Sequence, residues 1–179
     1  MRNDGKSAEK FVQNLFTKSG FHVERLKDTR DAGRKMAGNV ADMVIGRSLI
    51  LFYVEVKSTV KKYFYKGGLT GVQLQRNMLA CRKGICGIYV ITTNEGEDIV
   101  FYEWTQILLF FASDTRTNIV QAVKPIYTMS LSEPFDSKIR IPAKIILPRI
   151  IQTHKDLRQE FLETSFDFKI KKKYRRLKL

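Results

Sequence analysis

The segments Val40-Ala-Asp-Met-Val-Ile45 and Leu49-Ile-Leu-Phe-Tyr-Val-Glu-Val-Lys57 read as strands, and they place Asp42, Glu55 and Lys57 inside otherwise apolar runs. Carboxylates in such surroundings lose hydration and repel one another, so they are paired, protonated or neutralised by a cation. Side chains alternate along a strand, which sends Glu55 and Lys57 to one face and Val54 and Val56 to the other. With Asp42 on the adjacent strand, Asp42 and Glu55 can hold Mg²⁺, a hard cation that takes oxygen ligands, with Lys57 beside an attacked phosphate. The pattern predicts a metal-dependent phosphodiesterase site.

Upstream, Ser7 is a suitable helix cap, and Ala8, Phe11, Val12, Leu15 and Phe16 follow at helical spacing until Gly20. This predicts a helix over about residues 7–19. Glu9 falls at the border of its apolar stripe; on pattern alone it is a solvated first-turn acid that complements the helix dipole. A short strand follows at residues 21–25, and then a polar stretch, residues 27–39, with Gly33 and Gly38, that reads as a mobile loop. Only Gly46, Arg47 and Ser48 separate the two carboxylate-bearing segments, which indicates a hairpin.

Downstream of Lys57 comes the run Lys61-Lys-Tyr-Phe-Tyr-Lys66 before Gly67 and Gly68. Cations interleaved with aromatics suit phosphate contact and base stacking, and equally an edge strand with its lysines in water. A helix over about residues 70–83 carries Val72, Leu74, Leu79 and Ala80, sets Gln73 and Arg76 one turn apart, and stops at Gly84. Strands are expected at 85–93 and 99–104 around the acidic turn 94–98, with a helix at 103–112. Helix, strands, helix and strands in this order predict an α/β fold with a mixed sheet.

After residue 112 four prolines, Pro125, Pro134, Pro142 and Pro148, punctuate short apolar pieces, and a helix is expected over 152–162. The reading is therefore a core, residues 1–112, and a basic C-terminal extension, 113–179, packed on it and ending in the cationic tail Lys169-Ile-Lys-Lys-Lys-Tyr-Arg-Arg-Leu-Lys178. The tail, through Lys171, Lys172, Lys173, Arg175 and Arg176, suits a phosphate backbone. Across the whole chain 32 Lys and Arg face 18 Asp and Glu, a net charge of +14, which favours polyanionic partners and nucleic acid first. No apolar stretch is long enough to span a bilayer and the polar amino terminus does not resemble a secretory signal, so a cytoplasmic protein is expected. Cys81 and Cys86 do not make a disulfide framework, and His22 and His154 stand apart without zinc-site spacing, which makes structural or surface roles the expectation for both.

Glu9 on a first helix, Asp42 on one strand, Glu55-Val-Lys57 on the next and Gln73 on the following helix resemble the PD-(D/E)XK nuclease superfamily. Within it, Ser7-Ala-Glu-Lys10, Ser19-Gly-Phe-His-Val-Glu-Arg25, Ala41-Asp-Met-Val-Ile45 and Val54-Glu-Val-Lys-Ser-Thr59 resemble the archaeal-type Holliday junction resolvases and their phage relatives. The aromatic run before Gly67 and the Gln73 helix are similar to the RecU-type resolvases. Ala41 stands where that pattern often has proline, and Lys10 where it tends to have arginine. The resemblance spans about residues 5–104. It implies a restriction-endonuclease-like core and a homodimeric, Mg²⁺-dependent endonuclease, with Mn²⁺ able to substitute, that cuts four-way junctions symmetrically in DNA recombination and repair. It assigns metal ligation to Asp42, Glu55 and the Val56 carbonyl, with Glu9 completing or supporting that shell. Lys57 would orient or deprotonate the attacking water, Gln73 would position Lys57, the water or the DNA, and Arg25 would meet substrate phosphate. Lys61, Lys62, Lys66 and Arg76 complete the expected DNA-contacting set. The alternatives are a nuclease of the same superfamily acting on linear, flap or single-stranded DNA, and a nucleic-acid-binding module without turnover.

Overall fold

The computed structural model describes residues 5–26 and 41–168. Helix α1 (Gly5–Lys18) buries Ala8, Val12, Leu15 and Phe16, the stripe its spacing predicts. Ser7 lies within its first turn rather than at a cap. Strand β1 (His22–Arg25) leads to the stretch 27–40, which lies outside the described residues along with the loop expected there.

Strands β2 (Met43–Arg47) and β3 (Ile50–Ser58) form the expected antiparallel hairpin. Its turn puts Ser48 and Leu49 at φ 51° and 66°. Positive φ at both central residues matches the right-handed twist of the flanking strands, although neither residue is the usual glycine or asparagine. The aromatic run that follows is not an edge strand; it is an extended loop closed by a short 3₁₀ turn, Lys66–Gly68.

Helix α2 (Gly71–Arg82) starts at a capping box between Thr70 and Gln73 and ends before Gly84, whose φ of +81° a side chain rarely adopts. It is the crossover that makes β4 (Gly87–Thr93) parallel to β3. All seven residues of β4 are buried, as a central strand covered on both faces requires. Strand β5 (Asp98–Glu103) returns antiparallel and runs into α3 (Trp104–Ser113), capped by Glu103.

The short helix α4 (Ile119–Ala122) leads to β6 (Tyr127–Ser130), which pairs antiparallel with β5 as a further strand that the sequence did not reveal. Helix α5 (Ala143–Glu163) is twice the length expected, because it runs through Pro148 instead of beginning after it. Among the described residues six strands form one sheet in chain order, antiparallel except for the β3 and β4 pair. This is the α/β fold with a mixed central sheet flanked by helices that the sequence indicates.

Two apolar layers enclose the sheet. One joins α1 to Met43, Ile45, Val54, Val56, Val90 and Phe101. The other joins α2 and α3 to Tyr89, Ile91 and Tyr102. Helix α5 serves both, with Ile146 and Ile150 in the first layer and Phe161 in the second. Among the described residues no helix is long and apolar enough to cross a membrane.

Candidate functional site

Antiparallel pairing of β2 with β3 ends at Met43 and Val54, and Asp42 stands just beyond it. Its backbone is held on both sides, its carbonyl accepting from Leu26 N at 2.9 Å and its N–H donating to Val54 O at 3.0 Å. Where a continuing strand would offer a carbonyl to Val56 N, the Asp42 Oδ2 accepts that N–H instead, at 2.7 Å. The carboxylate is therefore fixed over β3, two residues beyond Val54.

Strand alternation brings Glu55 and Lys57 out on one face, and Lys57 Nζ donates to Glu55 Oε1 at 2.5 Å. Glu55 is only 3% exposed. The same oxygen accepts from Gln73 Nε2 of α2 at 2.5 Å. The orientation of that amide follows from local sequence: Gln73 Oε1 accepts from the Thr70 N–H and hydroxyl in the capping box, which leaves the amide nitrogen facing Glu55. Glu9 leaves α1 beside the buried Ala8 and pairs with Arg25 of β1.

The electrostatics join these groups. Burial, chiefly, with repulsion from Asp42 and Glu9, pushes the Glu55 carboxyl up to about 7 against the pull of the Lys57 charge. Glu9 is also raised, first by burial and then by Asp42, with Arg25 and Lys57 opposing. Three carboxyl groups thus act within one field at the end of the sheet. Among the described residues no group of three or more His, Cys, Asp and Glu side chains is gathered closely enough to hold an ion. The site offers two carboxylates, Asp42 and Glu55, with Glu9 turned to Arg25. This donor set is oxygen only, which fits a hard divalent cation rather than a soft one.

Sequence reasoning missed the support beneath Glu55. Tyr89 lies beside Glu55 in the parallel register, and its phenol is bonded to Asn77 of α2. Burial, then the Glu55 charge, drives the Tyr89 phenol well above its ordinary range, so it stays a neutral wall. The available signal was Asn77 four residues after Gln73, on the same face of α2.

The other predicted contacts divide. Lys61 and Lys62 are exposed on the loop after β3, Arg25 is half-exposed in its pair with Glu9, and Arg76 is partly buried on α2. Lys66 is committed elsewhere: its ammonium donates to the carbonyls of Phe110 and Asp114 and lies 4.2 Å from the centre of the Phe110 ring, closing the C-terminus of α3. Lys171, Lys172, Lys173, Arg175 and Arg176 lie outside the described residues.

No family model and no curated protein matches the chain. Among solved structures it is similar to Hjc of Archaeoglobus fulgidus, a Holliday junction resolvase from an archaeal hyperthermophile, at 15% identity and a TM-score of 0.47, over 79% of this chain and 99% of that one.

Proposed function

We propose that this chain is a metal-dependent DNA endonuclease that resolves four-way junctions by hydrolysing phosphodiesters in opposed strands. The observation that carries the reading is the convergence of Asp42, Glu55, Lys57 and Gln73 at one end of the sheet. A carboxylate as buried as Glu55 is costly to the fold, and a polar cluster of this kind is a mark of a reacting site. The charge of +14 supplies the attraction for DNA.

Asp42 and Glu55, with the Val56 carbonyl, would hold Mg²⁺ or Mn²⁺. When bound, the ion supplies Lewis-acid activation of a water and neutralises charge on the phosphoryl oxygens. Lys57, 18% exposed at its side chain, orients the attacking water and stabilises the negative charge that grows on the phosphate. Gln73 fixes the Glu55 oxygen. Glu9 holds Arg25 at the rim, from which the guanidinium can exchange its carboxylate for a substrate phosphate. A two-fold dimer would present two such sites to the two opposed strands of a junction, and recognition would rest on shape and phosphate. The setting that follows is a cytoplasmic enzyme acting on nucleoid or phage DNA.

The test is cleavage of matched synthetic DNAs, comprising a four-way junction, a flap, a linear duplex and a single strand, with Mg²⁺ and with EDTA. Paired symmetric nicks confined to the junction and abolished by EDTA are expected. Cleavage of every substrate would transfer the site to a general nuclease, and binding without cleavage would make the chain a binding module.

A further inference from the structure

Two tyrosines stand on the loop that leaves the reacting cluster. Exposure alternates along it, with Tyr63 at 41%, Phe64 at 6% and Tyr65 at 46%. In extended chain this alternation sends Phe64 into the core and both tyrosines to solvent. The Phe64 ring packs over Gly68 so closely that a Cβ there would come within 2.5 Å of it. Backbone bonds fix the loop on both sides of the tyrosines. Thr59 N donates to Thr92 O and Asn94 N to Lys61 O, both at 2.9 Å, while Ile119 N donates to Phe64 O and Lys66 N to Thr117 O, both at 2.8 Å.

The backbone that carries the rings is therefore held before any ligand arrives, and little loop freedom is lost on contact. Their centroids are 6.3 Å apart with planes at 53°. A base sandwiched between parallel rings needs about 7 Å, twice a contact distance of ~3.5 Å, so the outer ring faces are the stacking surfaces. Lys61 and Lys62 are exposed on the same loop. Exposed aromatics beside cations match unpaired bases with their phosphates, because stacking tolerates any base and the cations follow the backbone.

We propose that Tyr63 and Tyr65 form a stacking platform for unpaired DNA bases on the loop joining β3, which carries Glu55 and Lys57, to α2, which carries Gln73, with Lys61 and Lys62 on the adjoining phosphates. The substrate so selected carries unpaired bases. The cut itself rests on the endonuclease reading, whereas the stacking does not.

The experiment measures anisotropy of a labelled oligothymidine and of a fully paired duplex with the full chain in EDTA. Wild type is set beside Tyr63→Ala/Tyr65→Ala and Tyr63→Phe/Tyr65→Phe, with cleavage assayed in parallel in Mg²⁺. The double alanine variant is expected to bind the single strand about tenfold or more weakly and the duplex within about twofold of wild type, with the phenylalanine variant restoring the difference. Equal weakening on both DNAs, or none on the single strand, would overturn the platform. Selective loss on the single strand when wild type cleaves nothing would keep the platform and remove the endonuclease; unchanged binding by a variant that still cleaves would do the reverse.

Discussion

Gln73 uses both ends of its amide, the oxygen on the Thr70 cap and the nitrogen on Glu55. Glutamate serves a capping box equally well, so Gln73→Glu leaves the start of α2 intact while setting a second carboxylate against Glu55. We expect the Tm to stay within a few degrees, cleavage at neutral pH to fall on the order of tenfold, and the rise of activity with pH to move upward. An unchanged pH profile would show that Gln73 serves the helix alone. Glu55 itself gives the opposite stability sign from a typical paired acid. Its folded value is raised from 4.5 to about 7, so the folded state binds the proton more tightly and stability is lost as pH rises from 4.5 through 7. Glu55→Gln should therefore stabilise the metal-free protein at pH 8 by on the order of 1 kcal/mol in chemical denaturation while abolishing cleavage. Asp42, Glu55 and Lys57 were legible in the sequence because charges in apolar strands demand a reason and strand alternation sets their faces. The engagement of Lys66 was not, since the helix end it closes lies 44 residues away and is brought there by tertiary packing.

Helices α3 and α5 are joined by a buried contact. Glu103 caps α3, accepting from Thr105 N at 2.6 Å, and its other oxygen lies 3.0 Å from His154 Nδ1 of α5. Hydrogen bonds to Cys86 and to Glu103 lift His154 to about 9 from 6.5. Because the folded state holds that proton more tightly, its contribution is complete below pH 6.5 and is lost as pH rises through 9. Removing the partner leaves Glu103 buried and uncompensated, so His154→Ala should cost about 3 kcal/mol at pH 7 and much less at pH 10, measured by urea unfolding at both. Equal losses at the two pH values would mean that His154 acts only by filling space. The sequence marked His154 as structural or surface, yet its partner, 51 residues earlier, was hidden. The length of α5 was hidden for another reason. Proline breaks a helix by removing one bond and crowding the preceding turn, but here Ile146 and Ile150, on either side of Pro148, are fully buried, and that burial outweighs the lost bond. Short apolar pieces between prolines gave no periodicity long enough to expose this, and β6 is too short to announce itself.

Across the whole molecule, both apolar layers depend on α5. Ending the chain after residue 142 would remove Ile146, Ile150 and Phe161 and uncover the residues they pack against. At ~2–3 kcal/mol for each large side chain this approaches the total stability of an ordinary domain. Circular dichroism should show no cooperative melt for that truncated chain; a sharp transition would establish that residues 1–142 fold alone. The junction reading also requires two sites, and light scattering should return twice the 20.8 kDa chain mass at working concentration. A monomer fully active on junctions would remove the paired-site account. Hydrolysis by the cluster at the end of the sheet is best probed at Lys57, because its loss leaves both carboxylates in place. The decisive measurement is single-turnover cleavage of a four-way junction in Mg²⁺, wild type beside Lys57→Ala, with junction affinity measured in EDTA. If Lys57 acts in the chemical step, its loss lowers the rate by about 10²–10³ at nearly unchanged affinity. Equal cleavage by the two proteins would contradict it.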